Sequence, residues 1–458
     1  MPGVPSGRAC DACRKQKKKC DEKQPACGRC LRLKVNCVGS GQRRYMFKQE
    51  PLSSKSHQSS QTILIATPTS NKREISVLNI PPACPATYMT LLTNSFVAII
   101  KRSTDLRFNL WWSFGIFLEE VPRRLGSNEA LDRAVDAVTT AHADFCTHHP
   151  VSVQALSKYS LALKTLRFYL QDPFQARDPN TLCAVMILLI CQTFIRNDGQ
   201  TISGHAQGAA SILHARKNLG PRDDFERKLF LSLRGSVLFE GLYNDAIDLS
   251  TEEWEALVDN DYDHNLPEGQ ILRCLARAPV LLKRGRQAIR DGQDLTPLAE
   301  EIRPIYEKCK TILDDLKART VENESSSELS TVPGTFIARI LRAHYLRTYG
   351  IGIAITTFFN CMLQALDPSD LTYVTESRYL VKEILLHAQV SNIYRPVGAG
   401  YILVCLSAAW AATTDPELRS MVETAFVDYH GDFVSHDGVK ITRNLELASR
   451  NLWLGFDA

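Results

Sequence analysis

The 458-residue sequence predicts an all-α protein in three stretches: a small six-cysteine module of two short helices over residues 10–37, a flexible linker over 38–84, and a large multi-helix body over 85–458. Three features predict this layout. Six of the 14 cysteines fall within residues 10–37, residues 38–84 are polar and Ser-rich, and from Thr87 onward apolar residues recur at helical spacing. Hydrophobic residues make up 44% of the chain, an ordinary share for a protein with a real core.

The net charge of +4 is unremarkable, but its distribution is uneven. Residues 1–50 hold 13 Lys/Arg against 4 Asp/Glu, a local excess of +9, and the other 408 residues hold 41 against 46. A basic module joined to a near-neutral body points to an anionic partner for the N-terminal end. The N-terminus "MPGVPSGRAC" has no apolar run of the secretory kind. The longest apolar run, Leu182 to Ile195, is shorter than the ~18 residues needed to cross a bilayer. A reducing intracellular compartment is therefore expected, where clustered cysteines bind metal more often than they form disulfides.

In the first element the spacing is Cys10-x2-Cys13-x6-Cys20-x6-Cys27-x2-Cys30-x6-Cys37, and "CDACRKQKKKC" returns 17 residues later as "CGRCLRLKVNC". Zinc takes four tetrahedral ligands, and thiolates suit it. One ion would leave two cysteines over. Two ions need eight ligand positions from six sulfurs, so two sulfurs must bridge. The repeat requires an equivalent pair: Cys10/Cys27, Cys13/Cys30 or Cys20/Cys37. A disulfide knot or a redox cluster is the alternative. Five of the six residues between Cys13 and Cys20 are cationic. On a helix they repel one another, so the expected helix needs metal to hold it, and the cations in turn offset an anionic thiolate centre.

The six-cysteine pattern, with Asp11 after the first cysteine, the basic run before Cys20 and Pro25 before Cys27, resembles the fungal zinc binuclear cluster transcription factors. The resemblance implies two Zn(II), with Cys10 and Cys27 bridging: Cys10, Cys13, Cys20 and Cys27 around one ion, Cys10, Cys27, Cys30 and Cys37 around the other. It also implies that a lysine at the position of Lys17 reads a CGG triplet of double-stranded DNA. Gln16 stands where relatives often carry lysine, a departure at the edge of the triplet. Arg14, Lys15, Lys18, Lys19 and Lys23 suit phosphate contacts, which position a protein and make binding salt-dependent. The first half, "RKQKKK", is expected to enter the major groove as a helix. The second, "LRLKVN", is expected to support it, with Leu31, Leu33 and Val35 as packing or cover. The same basic run passes as a nuclear localisation patch, and Arg43, Arg44 and Lys48 extend it.

The linker follows. "EPLSSKSHQSSQ" and "ATPTSNKRE" are too polar to bury themselves. "TILIA" (62–66) is an apolar island with no assigned role. No heptad repeat runs between Val38 and Lys72, so a homodimer would have to form through the body.

The body opens with Met89, Leu92, Phe96 and Ile99 on one helical face. Thr296-Pro297 and Asp415-Pro416 are helix-start signals, and "NLGP" (218–221) is a stop. The Asp-Gly pairs at 198, 291 and 437 lack flanking strands, which leaves an all-helical body of about twelve or more helices. "VENESSSELS" (321–330) is expected to be a disordered loop. "TISGHAQGAASILHARKNLG" (201–220) resembles a helix of the fungal-specific transcription factor regulatory domain, and "LSTEEWEALVDND" (249–261) sits where relatives carry an acidic, Trp-containing segment. His205 and His214 are expected to be structural. The acidic stretch Asp245–Asp263 has an activation-like composition, but Ser250-x-x-Glu253 is a capping box and favours a structural role. The remaining cysteines, such as Cys183, Cys191 and Cys405, sit in apolar contexts and are expected to pack as small hydrophobes.

Phosphate-loop, nucleotide-binding, zinc-protease and serine-hydrolase motifs are all missing, and no enzyme is expected. The sequence thus predicts a DNA-binding regulator of RNA polymerase II transcription, located in the nucleus and working with co-regulators or the transcription machinery. The rival is a helical enzyme or ligand-binding protein whose zinc module serves protein contacts. The density of cations between Cys13 and Cys20 argues against it.

Overall fold

The computed structural model describes residues 5–6, 9–23, 25–38, 44–45, 87–101, 105–147, 151–195, 203–215, 223–244, 246–260, 263–328 and 336–433. The chain separates into two compact units, Met1–Pro81 and Pro82–Ala458. The expected linker, with "TILIA", lies almost wholly outside the described residues, as do Cys84, "NLGP" and two of the three Asp-Gly pairs.

The first unit contains α1 (Asp11–Lys15) and α2 (Gly28–Arg32). It also has a feature the sequence reading missed: β1 (Pro5–Ser6) pairs antiparallel with β2 (Arg44–Tyr45), Pro5 opposite Tyr45 and Ser6 opposite Arg44. Two-residue strands leave no periodic trace.

The second unit is helical: α3 (Tyr88–Lys101), α4 (Leu110–Phe114), α5 (Glu129–Cys146), α6 (Val153–Gln171), α7 (Pro173–Ala176), α8 (Pro179–Ile195), α9 (Ser203–Ala215), α10 (Asp224–Tyr243), α11 (Thr251–Ala256), α12 (Pro267–Arg290), α13 (Thr296–Glu328), α14 (Phe336–Leu366), α15 (Thr372–Ser391), α16 (Ile402–Ala412) and α17 (Pro416–His430). On α3, Leu92, Phe96 and Ile99 are buried and Met89 packs beside them, as the spacing predicts. Asp415 caps α17, its carboxylate accepting from Glu417 N at 3.1 Å, with Pro416 at the first helical position. α13 begins at Thr296 itself, whose N–H is taken by Asp294 at 3.0 Å. Gly292, after the end of α12, has φ 63, so the Asp291-Gly292 pair is a helix stop and not a hairpin.

α5 packs on α6 and α8, while α14 packs on α13, α15 and α16. α8 is apolar all round and correspondingly buried. α14 is long and apolar enough to cross a membrane, but the window that qualifies is 83% buried, as befits a central core helix.

One expectation fails clearly. The segment expected as a loop at 321–330 is helical through Glu328, and 329–330 lie outside the described residues. Extending a helix already 25 residues long (296–320) avoids the cost of a new nucleus, and the glutamates of "VENESSSE" are good helix formers.

Candidate metal centre and nucleic-acid interface

The 17-residue sequence repeat is also a structural repeat. Each half begins with a cysteine whose sulfur accepts the backbone N–H three residues on: Cys10 Sγ from Cys13 N at 3.5 Å, and Cys27 Sγ from Cys30 N at 3.4 Å. Cys27 thereby serves as the N-cap of α2. Each five-residue helix is then stopped by a lysine in the left-handed region, Lys17 at φ 53 and Lys34 at φ 50. The next N–H closes back over the helix, Lys18 N to Cys13 O at 2.9 Å and Val35 N to Cys30 O at 3.1 Å. These stops let the chain return toward the centre at Cys20 and Cys37. Asp21 bridges the halves, its carboxylate accepting from Gly28 N at 3.0 and 3.1 Å. A Cβ at Gly28 would lie 2.8 Å from that carboxylate, so the close approach favours glycine.

The sulfurs form two sets, Cys10/Cys13/Cys20/Cys27 and Cys10/Cys27/Cys30/Cys37, each with all its donor atoms within 4.8 Å of one another. Cys10 and Cys27, which belong to both sets, are 3.8 Å apart. Cys10 lies 3.6 Å from Cys30, and Cys27 lies 3.8 Å from Cys13. Among the described residues the cysteines are free thiols. Two all-sulfur quartets sharing an edge could hold two soft, tetrahedral ions. The electrostatics separate the shared pair from its neighbours. The N–H of Cys13 lowers the Cys10 thiol, and the N–H of Cys30 lowers that of Cys27. Burial pushes Cys13 up to about 11 and also raises Cys30. Backbone donors thus favour the thiolate at the two sulfurs common to both quartets, while burial favours the thiol at Cys13 and Cys30.

The basic run lies alongside, with one correction. The helix expected across "RKQKKK" ends at Lys15, so only Arg14 and Lys15 are helical. Gln16 and Lys17 form the turn, and Lys18 and Lys19 continue without regular structure. The left-handed stop at Lys17 is the cause, and it also relieves the i, i+3 and i, i+4 repulsion of a longer helix. Lys15, Gln16, Lys17, Lys18, Lys19 and Lys23 are exposed, while the side chain of Arg14 lies outside the described ones. Leu31, Leu33 and Val35 do not pack inside the module: they are 64%, 52% and 42% exposed.

Sequence reasoning missed Arg29. It reaches from α2 to the first half, with Nη2 donating to Gln16 Oε1 at 2.7 Å and Nη1 lying 4.0 Å from Cys13 Sγ. A cation between two sulfur ligands, where the first half has Ala12, was the available signal.

In the body, the capping box expected at Ser250 forms. Ser250 Oγ accepts from Glu253 N at 3.3 Å, and Glu253 Oε2 accepts from Ser250 N at 2.8 Å. Trp254 is buried beside it. His214 is exposed and pairs with Glu253 at 2.6 Å, while the His205 side chain lies outside the described ones. Cys183, Cys191 and Cys405 are fully buried, as small hydrophobes would be.

Residues 8–45 match the family model of the fungal Zn(2)-Cys(6) binuclear cluster domain. No curated protein and no solved structure matches the chain. The family's domain binds two zinc ions and double-stranded DNA in transcription regulators, and its match at residues 8–45, with the two sulfur quartets there, supports a DNA-binding regulator of transcription.

Proposed function

We propose that this regulator acts in the nucleus on genes transcribed by RNA polymerase II, and that it reads CGG-type triplets through the segment after Cys13. The observation that carries this reading is the exposed run Lys15–Lys19 beside a buried sulfur centre. A metal site used only for folding or protein contact needs no such flank.

In this reading Cys10, Cys13, Cys20 and Cys27 hold one zinc, Cys10, Cys27, Cys30 and Cys37 hold the other, and Cys10 and Cys27 bridge. The two quartets support that division. Zinc supplies the folding free energy that five-residue helices lack. Lys17, at the exposed turn, donates to guanine O6 and N7 in the major groove, and Gln16 sits at the edge of the triplet. Arg14, Lys15, Lys18, Lys19 and Lys23 hold phosphates. The body, from about residue 85, regulates: it recruits co-regulators or the transcription machinery and pairs two chains.

The test is binding of the zinc-loaded full chain to duplexes in which each base of the triplet is varied, at two salt concentrations. Each changed base is expected to cost ~1–3 kcal/mol, with that discrimination lost in Lys17→Ala. Equal affinity for every sequence, with only a salt slope, would reject base reading.

A further inference from the structure

We infer that Arg29 is a positioning residue that sets what Gln16 reads, turning an amide able to recognise adenine into a donor suited to the acceptor edge of guanine. This rests on the DNA-reading function proposed above. A glutamine side chain has one acceptor atom, Oε1, with two lone pairs, and one donor group, the Nε2 amide with two N–H. Bidentate recognition of adenine uses both at once, with Oε1 accepting from N6–H and Nε2 donating to N7. Here one lone pair of Oε1 accepts from Arg29 Nη2 at 2.7 Å, a charge-assisted bond that turns the carbonyl toward the guanidinium and away from the side-by-side presentation that adenine needs.

Two further contacts fix the geometry. The other guanidinium nitrogen points at Cys13 Sγ, 4.0 Å away, so the fork is anchored on the sulfur centre. The Gln16 N–H donates to Ala12 O at 3.3 Å, which holds the residue at the end of α1. Gln16 is exposed and Arg29 half-buried. With the carbonyl held toward Arg29, the end of the amide turned outward is the Nε2 group, whose two N–H donors match guanine N7 and O6. Arg29 comes from the half of the module that bears the apolar surface, so the second half acts on recognition without supplying a base contact itself.

The test uses the zinc-loaded full chain, a duplex library randomised across and around the triplet, and sequencing of the bound fraction. Wild type, Arg29→Met, Gln16→Ala and the double variant are compared, and zinc per chain is measured for each. The expected result is one guanine-preferring position that Gln16→Ala flattens. At that position alone Arg29→Met shifts preference toward adenine, at least about fivefold, the lower end for gaining one bidentate pair. The double variant matches Gln16→Ala, and every protein keeps two zinc ions. An Arg29→Met profile identical to wild type would overturn the inference. So would a uniform loss at all positions with zinc below two per chain, since Arg29 would then serve the metal centre alone. A flat wild-type profile would overturn the base-reading proposal and this inference together.

Discussion

Lys17 and Lys34 adopt a conformation that costs an L-residue with a side chain about 1–2 kcal/mol, yet neither is glycine. Lys17 has a second use, since its side chain stands at the exposed turn. Lys34 stands in the apolar half with no such demand. Lys34→Gly is therefore expected to leave zinc content and DNA affinity unchanged, and Lys34→Val, β-branched and ill-suited to positive φ, to destabilise the module by about 1 kcal/mol or more. Chelator titration followed by loss of DNA binding measures both, and equal behaviour of the two variants would refute the strain account. The six cysteines that group into the two quartets were legible in the sequence because their spacing repeats. The end of α1 was not, because a left-handed lysine has no compositional mark of the kind glycine provides. His387 is a residue-scale matter in the body. It is buried, bonded through Nε2 to Tyr401 OH at 3.1 Å, and burial pushes it from 6.5 down to about 4. Below pH 6.5 the unfolded chain binds a proton that the folded chain refuses until about pH 4, so stability is lost as pH falls through that window, by up to about 3 kcal/mol. His387→Gln should flatten the dependence of the denaturation midpoint on pH between 6.5 and 4. An unchanged slope would place the acid sensitivity elsewhere.

At the scale of elements, α11 is a short helix held at both sides. Its capping box ties down the start, and Trp254 inserts against α10, where a Cβ on Gly241 would come within 2.3 Å of the indole. Ser250→Ala should cost about 1 kcal/mol. Gly241→Ala should cost about 1–3 kcal/mol, because a buried ring cannot swing aside. Denaturant midpoints of the full chain check both, and an insensitive Gly241→Ala would mean that the α10–α11 contact is slack. The cap was legible from four residues, Ser250 to Glu253, because capping chemistry is local. The length of α13 was not legible, since serine-rich composition resembles a loop until the long helix preceding it is taken into account. α6 shows another limit. Ala155, Ala162 and Leu166 are buried, but Val153 and Phe168 on the same helix are 84% and 71% exposed, so apolar identity alone could not separate its core face from its outer one.

For the whole molecule, the division into Met1–Pro81 and Pro82–Ala458 separates two sources of stability. The first unit rests on metal around ten helical residues, five in each helix. The second rests on a continuous apolar core from Leu92 to Tyr429. A strong zinc chelator should therefore abolish DNA binding while leaving far-UV circular dichroism almost unchanged, because among the described residues the groups that could hold a metal lie in the N-terminal cysteine cluster. A large loss of helicity on chelation would show that the body, too, depends on zinc. The all-helical class of the body was legible because helical periodicity sets in sharply after the polar stretch. The pairing of helices in the body was not, since it depends on contacts between residues far apart in sequence.

The repeated backbone of the module carries "RKQKKK" in one half and "LRLKVN" in the other without altering its caps, its stops or its ring of sulfurs. Instructions for folding and instructions for recognition thus occupy different letters of the same short text. The surface alphabet can be rewritten, residue by residue, while the grammar of cysteines and turns stays intact. Such a scaffold lets new specificities arise by spelling changes alone.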